Sequence, residues 1–420
     1  MLDIELIRKE PERIKKAIAR KGADPKLIDE AVLIDRNRRR VLAELERAQS
    51  GLNRLSKDIA KLHGQQKIEA INEASSYSAK VSELKPEAEQ AQKEYLEIML
   101  QIPNLPAEDV IDGAGEKDNK VNRKWGNPPK FSFKPLDHVD LGEKLNLIDT
   151  ERAGKIAGSR FYFLKNELVQ LEFALVQYAL EILISEGFVL MIPPVLLSRE
   201  TMTGAGYLPA GEEEIYRTQD DLFLAGTSEQ PLAGYHKDEI IDEKKLPLRY
   251  AGFSSCFRRE AGSHGKDVRG ILRTHQFDKV EMFSFTLPKD SLKEHEYLVS
   301  LEEKITRGLK LPYRIVDICA GDLGASAAKK YDLECWMPGE NNYRETHSCS
   351  NCSDFQARRL NIRYRDKSGQ VKILHTLNGT AIAIGRMLIA IMENNQEKNG
   401  NIKIPEVLHR HLPFIEIKRK

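Results

Sequence analysis

Apolar side chains recur at seven-residue intervals through the first hundred residues. One run places Leu27, Ile34, Val41, Ala48, Leu55 and Leu62 in one seam, with Ala31, Leu45, Leu52 and Ile59 in a second. After a break at His63-Gly64, the next run has Ala74, Val81, Ala88, Tyr95 and Ile102 in one seam and Ala70, Tyr77, Leu84, Ala91 and Ile98 in the other. Two such runs predict an antiparallel helical hairpin, each arm about 50 Å long.

Other signals set the ends of these helices. Residues 1–22 are predicted to form a short amphipathic helix that Gly22 ends, and Asp24-Pro25 are predicted to begin the next. Pro86 predicts a kink, or a break near Leu84-Lys85. Heptads specify only helix pairing, so a dimerising coiled coil or a spacer fits as well as a probe for nucleic acid. Basic residues along the first arm are consistent with a probe.

The pattern changes after residue 102. Residues 103–135 are rich in Pro, Gly, Asn and charge, which predicts a linker, and a second domain is predicted to begin near Leu136. Helices are predicted over Phe163–Ile184, Lys289–Arg307 and Ala381–Asn394. Strands are predicted over Val189–Ile192, Asp221–Ala225, Leu248–Phe253, Tyr313–Ile318, Leu333–Pro338 and Tyr343–Ser348. Because the strands come in runs without regular βαβ alternation, an α+β domain with a largely antiparallel sheet is expected.

Composition narrows the class of protein. The 420 residues carry a net charge of only +1, so nucleic-acid contacts must come from local patches. Five cysteines do not make a disulfide framework, which favours a reducing, cytoplasmic compartment. Acids and bases are mixed at the N-terminus, which argues against a secretory signal, and no apolar run approaches membrane-spanning length. A Rossmann or P-loop motif is not found.

The segment Phe253–Phe283 concentrates candidate chemistry. Arg258 and Glu260 are two residues apart on one predicted strand. On the next, one parity is shared by Arg273, His275, Phe277, Lys279 and Glu281. Side chains alternate faces along a strand, so a hairpin here has a floor of arginines, carboxylates and one aromatic ring. That floor suits phosphates, a flat base and an ammonium group, although a charged, solvent-facing hairpin explains the pattern equally well.

Smaller constellations surround this hairpin. Thr227-Ser228-Glu229 follows an apolar strand, and Glu229 is either an anchor for an amino group or part of a helix start. Glu345 and Ser348 offer oxygen ligands for Mg²⁺, but strand parity places them on opposite faces unless the strand ends or bulges between them. Arg386 in an apolar helix indicates either a ligand contact or a structural salt bridge. Cys349-x-x-Cys352 is a weak zinc pattern.

Taken together, these stretches resemble the three motifs of class II aminoacyl-tRNA synthetases, in the form of the bacterial-type seryl-tRNA synthetases. The residues that carry the resemblance are FRRE at 257–260, RTHQFDKVE at 273–281, ETHSCSNC at 345–352, HTLNGT at 375–380 and Gly385-Arg386. The resemblance implies a tRNA-binding domain at 1–102, with its arm at about 27–102, a linker at 103–135 and a catalytic domain at 136–420. It also implies a cytoplasmic homodimer.

The implied reaction is ATP-dependent activation of L-serine to seryl-adenylate, then transfer to the terminal adenosine of tRNA(Ser), and of tRNA(Sec) where present. The arm would lie across the long variable arm of the tRNA. Arg258 would hold the α-phosphate and the serine carboxylate, Arg386 the far phosphates, and Phe277 the adenine.

The resemblance assigns further residues by role. ATP contacts would also come from Arg259, Glu260, Arg273, Glu345, Thr346, His347 and Ser348, with Mg²⁺ held by Glu345 and Ser348. Serine contacts would come from Thr227, Ser228, Glu229, Arg258, Glu281, Asn378 and Thr380. Contacts to tRNA would come from Arg36, Arg39, Arg40, Arg47 and Arg54.

Three other functions are each disfavoured by the sequence. A synthetase relative that loads a carrier protein lacks the long arm, so residues 27–102 argue against it. An inactive paralogue is disfavoured because Arg258, Glu281, Glu345 and Arg386 are all present. A coiled-coil interaction protein with an incidental second domain is disfavoured by the density of matched motifs.

Overall fold

The computed structural model describes residues 1–261 and 269–419. Residues 262–268, between the two predicted strands of the Phe253–Phe283 segment, therefore lie outside the described residues. The chain forms two compact units, Met1–Pro103 and Asn104–Lys420. The first unit consists of four helices: α1 (Ile4–Lys9), α2 (Pro11–Ala19), α3 (Lys26–Ile59) and α4 (Gly64–Gln101). The single helix predicted over 1–22 is thus two helices, because Pro11 begins a new one.

Helices α3 and α4 pair in antiparallel fashion along their length. Arg38 donates to Gln92 (3.0 Å), and Arg40 donates to Glu87 (3.1 Å) nearer the hairpin turn. Helix α4 runs through Pro86 without the predicted break. Pro86 is exposed, so water can satisfy the carbonyl that loses its helical partner. The predicted helical hairpin is confirmed.

The seam of this hairpin has a charged centre that the heptad pattern did not reveal. Asp35 is fully buried, and its carboxylate accepts hydrogen bonds from Arg38 (3.2 Å) and Arg39 (2.9 Å), with Arg8 at 3.5 Å. A buried carboxylate requires such paired donors, because an unpaired charge in the interior is very costly. Arg38 and Arg39 are therefore partly committed to a buried carboxylate of their own helix, which Arg8 reaches from α1.

The second unit contains eight helices and a large sheet within its described residues. Its helices are α5 (His138–Lys144), α6 (Thr150–Ala157), α7 (Glu167–Ser185), α8 (Arg199–Ala205), α9 (Glu229–Gly234), α10 (Ser291–Gly308), α11 (Phe355–Arg359) and α12 (Ile384–Asn394). Its strands are β1 (Lys120–Trp125), β2 (Ile148–Asp149), β3 (Phe163–Leu164), β4 (Val189–Met191), β5 (Leu196–Ser198), β6 (Leu222–Leu224), β7 (Ile240–Asp242), β8 (Leu248–Phe257), β9 (Gln276–Thr286), β10 (Tyr313–Asp317), β11 (Lys329–Met337), β12 (Asn342–Asn351), β13 (Arg363–Arg365), β14 (Val371–Ile373), β15 (His375–Ala383), β16 (Ile402–Lys403) and β17 (Glu416–Ile417).

The main sheet has the strand order β1-β10-β11-β12-β15-β9-β8-β4 among the described residues. Every neighbouring pair is antiparallel except β4 and β8, which confirms the α+β prediction. The structure differs from the predicted linker at 103–135, because β1 is the edge strand of this sheet. Asn104 also bonds within the second unit, where its amide donates to the carbonyl oxygens of Ser326 (2.8 Å) and Cys352 (2.9 Å).

Helix α7 corrects two sequence predictions. It begins at Glu167 rather than Phe163, since Phe163–Leu164 pairs with Ile148–Asp149 as a short strand. The helix is also long and apolar enough to span a membrane by composition, contrary to the prediction that no segment is. One of its faces packs into the core through Leu168, Leu171 and other buried residues, as expected for a core helix.

Candidate active site

A cavity of about 550 Å³ opens on one face of the main sheet. Its lining includes thirteen of the predicted site residues: Thr227, Glu229, Arg258, Glu260, Arg273, Phe277, Glu281, Glu345, Thr346, Ser348, Asn378, Thr380 and Arg386. Arg258 and Glu281 share this lining, as strand parity predicted. The hairpin is therefore the floor of a cavity, and the alternative of a solvent-facing hairpin is wrong.

The regular strands of this hairpin are shifted relative to the prediction. β8 ends at Phe257, so Arg258 follows the strand, although its N–H still donates to the carbonyl of His275 (3.0 Å). The Arg258 guanidinium lies 5.3 Å from the centroid of the Phe277 ring. His275 shares the parity of Phe277 but does not line the cavity. It precedes β9, and its ring lies 5.1 Å from that of Phe161.

A β-bulge resolves the parity conflict at the predicted metal site. Ser348 pairs with Asp332 and His347 with Leu333, but Glu345 pairs with Glu334, so Thr346 is the extra residue. One inserted residue reverses the facing of every side chain beyond it. Glu345 and Ser348 consequently both line the cavity. The bulge that a metal site at these two residues requires is therefore present.

Glu345 lies in a strongly cationic environment. Nη1 of Arg386 is 3.3 Å from its carboxylate and donates to its backbone carbonyl at 2.8 Å. Burial alone would raise the pKa of Glu345, but Arg386, Lys330 and Arg258 outweigh it and lower the pKa to about 2. The carboxylate is ionised at neutral pH, as a ligand for a hard cation must be.

A second group of side chains forms a small polar pocket beside the arginines. Nζ of Lys279 lies 2.6 Å from Glu281, and the hydroxyl of Thr380 is 3.3 Å from the same carboxylate oxygen. Glu229 accepts hydrogen bonds from the hydroxyl of Tyr207 (2.7 Å) and the amide of Gln356 (2.8 Å). Burial is the main cause that raises the pKa of Glu229. Two carboxylates thus face one pocket, each held by its own donors.

Three predicted ligand residues do not line the cavity. Ser228 is fully buried, and its hydroxyl lies 2.7 Å from that of Ser254. His347 is also buried, next to the hydroxyl of Thr346 (2.9 Å), and burial lowers its pKa to about 3. Arg259 is exposed to solvent outside the lining. Neither buried side chain is placed to contact a ligand in this cavity.

Four residues of the site have no role predicted from the sequence. Lys279 and Tyr207 line the cavity, as does Lys330, whereas Gln356 acts from behind Glu229. Lys279 carried a usable signal, because it has the parity of Phe277 and Glu281. The other three are brought in by distant segments, so no local pattern could have identified them.

The predicted tRNA contacts all lie on helix α3. Arg36, Arg39, Arg40, Arg47 and Arg54 are exposed there. At 100° per residue, four of them fall within about 40° around the helix axis. Arg39 is the exception, offset by about 60°, and it bonds to the buried Asp35. These four residues, Arg36, Arg40, Arg47 and Arg54, form one basic stripe.

Cys349 and Cys352 are buried separately from the cavity lining. Cys349 lies behind Gly379, where a side chain on the glycine would meet its Sγ at 3.2 Å. Cys352 has its Sγ 3.8 Å from the amide nitrogen of Asn378. Both act as packing groups beneath the polar pocket.

A buried carboxyl lies behind the same pocket. Glu302 on α10 is fully buried, and neither of its side-chain oxygens has a hydrogen-bond partner within the described residues. Burial, followed by the nearby Glu281 and Asp332, raises its pKa well above the usual range. The folded state therefore favours the protonated acid. Because the folded state binds this proton more tightly than the unfolded state does, Glu302 costs least stability below the unfolded pKa, and its cost increases as pH rises towards the folded pKa.

Replacing Glu302 with methionine is accordingly expected to stabilise the protein. The gain should be about 1–3 kcal/mol in mildly acidic buffer, the cost of an unsatisfied buried polar group, and should increase as pH rises. Urea unfolding at a series of pH values measures it. Glu303→Gln is the matched control. Burial raises the pKa of Glu303, but the hydrogen bonds from Arg123 and Tyr313 outweigh burial and lower it. The ionised Glu303 therefore stabilises the folded state at neutral pH, and this effect is lost as pH falls. A loss of stability in Glu302→Met at high pH would contradict this account.

Family comparisons match both units. Residues 213–395 match the model of the tRNA synthetase class II core domain (G, H, P, S and T), and residues 1–106 match the seryl-tRNA synthetase N-terminal domain. The chain is 47% identical to the serine–tRNA ligase of Dictyoglomus turgidum over the full length of both proteins. It is 45% identical to that of Acidothermus cellulolyticus over 98% of each.

Solved structures agree with these matches. The crystal structure of seryl-tRNA synthetase from Pyrococcus horikoshii complexed with ATP aligns over the whole of both chains, with a TM-score of 0.93 and 41% identity. The cytoplasmic serine-tRNA ligase from Naegleria fowleri, in complex with AMP, aligns over the whole of this chain and 99% of that one, with a TM-score of 0.87 and 34% identity.

Proposed function

The chain belongs to the seryl-tRNA synthetases of class II, and from that premise we propose how its own residues activate serine and deliver it to tRNA. Its activity is that of an ATP-dependent serine–tRNA ligase. The observation that carries the residue assignments is the bulge at Thr346. It brings Glu345 and Ser348 into the same cavity as Arg258 and Arg386.

Activation joins two anions, because the serine carboxylate attacks the α-phosphate of ATP. Negative charge spreads over the phosphate oxygens in the transition state, where fixed guanidinium groups stabilise it most. Arg258 supplies this charge at the α-phosphate, and Arg386 at the far phosphates. Phe277 stacks on the adenine, with Glu260 and Arg273 beside it.

Mg²⁺ is proposed to bind at Glu345 and Ser348. The donor set suits the ion, since both residues present oxygen atoms and Glu345 is held ionised by its cationic neighbours. A bound Mg²⁺ would neutralise phosphate charge. The chain contributes the preformed carboxylate, which Arg386 orients before any ligand arrives.

Serine selection is assigned to the pocket formed by Thr227, Glu229, Glu281 and Thr380. Two carboxylates suit an ammonium and a hydroxyl, and Lys279 holds Glu281 in place by its 2.6 Å ion pair. A site that hydrogen-bonds a substrate hydroxyl rejects the analogue that lacks it, because its own buried polar groups would be left unpaired. Alanine should therefore be strongly rejected, and threonine should be excluded by size.

Pyrophosphate exchange measured with each amino acid in turn tests this assignment. Serine alone is expected to support exchange, with alanine slower by about 10⁴-fold. Chelation of divalent cations should abolish the signal, and added Mg²⁺ should restore it. Exchange with alanine or threonine within tenfold of that with serine would refute the proposed pocket, and full exchange in chelator would refute the metal site.

The helical hairpin α3–α4 is proposed to contact the long variable arm of tRNA(Ser), and of tRNA(Sec) in an organism that has it. Its basic stripe supplies phosphate contacts along one face of α3, which suits recognition of shape and backbone more than of bases. The substrate tRNA would be met in the cytoplasm.

A homodimer is proposed to form at the edge of the main sheet. Strand β4 is that edge, and the exposed fraction is 57% for Val189 and 86% for Ile192. Helix α7 adds Phe173 (66%) and Ile184 (54%) as exposed apolar side chains. An apolar edge strand left open invites pairing, and a twofold contact between identical copies would cover it.

A further inference from the structure

His138, the first residue of α5, bridges two segments at the border of the cavity. Its Nδ1 lies 3.2 Å from Oε1 of Glu393, and the backbone N–H of Ile271 donates to its Nε2 at 3.3 Å. A backbone N–H can only donate, so Nε2 must be the acceptor and the neutral ring carries its proton on Nδ1. That proton is donated to Glu393. The two contacts fix both the tautomer and the orientation of the ring.

The bridged segments carry residues assigned to ATP. Glu393 lies in the last turn of α12, and Arg386 lies near the start of the same helix. Ile271 lies two residues before Arg273, and both line the cavity with Phe277. His138 therefore connects helix α12, which carries Arg386, to the segment that leads into strand β9 and Phe277.

Two glycines keep this junction close. Gly270 has φ +75°, and a side chain there would meet Nε2 of His138 at 2.0 Å. A side chain at Gly385 would meet the carbonyl oxygen of Ile271 at 3.3 Å. Ile271 is thus held between His138 on one side and the start of α12 on the other.

We propose that His138, oriented by Glu393, is a positioning residue that sets the distance between Arg386 and the Arg273–Phe277 segment. It touches no substrate and acts through the backbone of Ile271. The inference rests on the proposed assignment of these residues to ATP. The serine pocket takes Thr227 and Glu229 from a separate segment of the chain. Its Glu281 lies further along β9 than Phe277, and its Thr380 precedes α12. We therefore expect His138 to affect ATP binding more than serine binding.

Replacing His138 with leucine removes both hydrogen bonds at similar volume. The KM for ATP in pyrophosphate exchange is expected to rise about tenfold, since small misplacements of binding groups are costly. The KM for serine should change less than about twofold. In His138→Gln the amide can donate to Glu393 and accept from Ile271, so this variant should restore most of the ATP affinity.

Glu393→Gln tests the same bridge with His138 intact. Oε1 of Glu393 accepts from the N–H and Nδ1 of His138, and Oε2 accepts from the N–H of Gly339 (2.8 Å). A glutamine side chain has one acceptor oxygen and one donor NH2 group, so its NH2 group must face the donors of either His138 or Gly339. The oxygen satisfies two donors when it faces His138 and only one when it faces Gly339, so the favoured orientation keeps the His138–Ile271 contact. The KM for ATP should therefore rise less in Glu393→Gln than in His138→Leu.

Gln396→Leu is the matched control for simple destabilisation. Gln396 is buried at the same junction and makes two hydrogen bonds to the backbone of Leu136 (2.8 and 2.9 Å), without reaching Ile271. Its loss should lower the unfolding midpoint and leave the KM for ATP within about twofold.

These outcomes distinguish failure of the proposed His138 bridge from failure of the proposed ATP contacts. A selective rise in the KM for ATP in His138→Leu, smaller in Glu393→Gln, rescued by His138→Gln and absent in Gln396→Leu, supports the bridge. Equal rises for ATP and serine, or the same selective rise in Gln396→Leu, would overturn it. If Phe277→Ala and Arg386→Ala leave the KM for ATP unchanged, the ATP assignment itself fails.

Discussion

Arg258→Ala is expected to abolish serine-dependent pyrophosphate exchange, with a loss of about 10³-fold or more. Arg258 lines the cavity, where we propose that it meets both the α-phosphate and the serine carboxylate, and its Nε donates to the carbonyl of Gly226 (3.2 Å). Its guanidinium also faces the Phe277 ring. Among the described residues, Arg258, Arg273 and Arg386 line the cavity. The Gly226 contact places Arg258 beside the segment that carries Thr227 and Glu229.

Two further variants sharpen this experiment. Arg258→Lys keeps the charge but loses the planar fork that binds two oxygens at once, so it should retain only a small part of the activity. Arg259→Ala removes the adjacent, solvent-exposed arginine and should have a much smaller effect. A larger loss at Arg259 than at Arg258 would reverse the assignment, and near-normal exchange in Arg258→Ala with the fold intact would refute it.

Deletion of residues 31–98 is expected to leave adenylate formation intact and to reduce charging of tRNA by about 10³-fold or more, as the loss of several phosphate contacts would. The physical basis is the separation of tasks, because the cavity is built wholly from residues of the second unit. Pyrophosphate exchange and aminoacylation, measured on one preparation, provide the comparison. Unchanged charging would refute the arm as a tRNA probe.

A charge variant separates the basic stripe from the helices that carry it. Glutamine at Arg36, Arg40, Arg47 and Arg54 keeps the hairpin and removes the cations, so the dependence of tRNA binding on salt should become shallower. Arg39→Gln is the matched control from the same helix, off the stripe. An equal change in salt dependence in both proteins would contradict the proposed stripe.

Mixed dimers test whether the arm of one subunit serves the active site of the other. A subunit with the deletion but an intact cavity is combined with an Arg258→Ala subunit that keeps its arm. Neither parent should charge tRNA, whereas the mixed dimer should recover part of the activity. Failure to recover, with dimers present, would indicate that each arm serves its own subunit.

Much of the fold follows from periodicity. The heptads at Val41 and Ala48 bury their side chains against α4, as a repeating pattern should. Asp35 could not be foreseen in the seam, because its burial depends on donors from Arg8, Arg38 and Arg39 that no single heptad contains. Local pattern therefore located the helices but not the charged contact between them.

The candidate site was predictable where strand parity applied. Phe277 and Glu281 face the cavity from β9, and the register follows from alternation. His275 shares their parity but lies before the regular strand, so alternation no longer fixes its facing. Tyr207 and Gln356 meet at Glu229 only through tertiary packing, and this contact has no local signature.

The bulge at Thr346 has a consequence for how this site can vary. Glu345 and Ser348 reach one cavity because the segment between them contains one residue more than the opposite strand. A substitution of Thr346 preserves that count, whereas loss of one residue there would turn one of the two proposed Mg²⁺ ligands into the core. The proposed metal site on β12 therefore depends on the number of residues in the strand as well as on their identity. An insertion or deletion at the bulge should destroy the site.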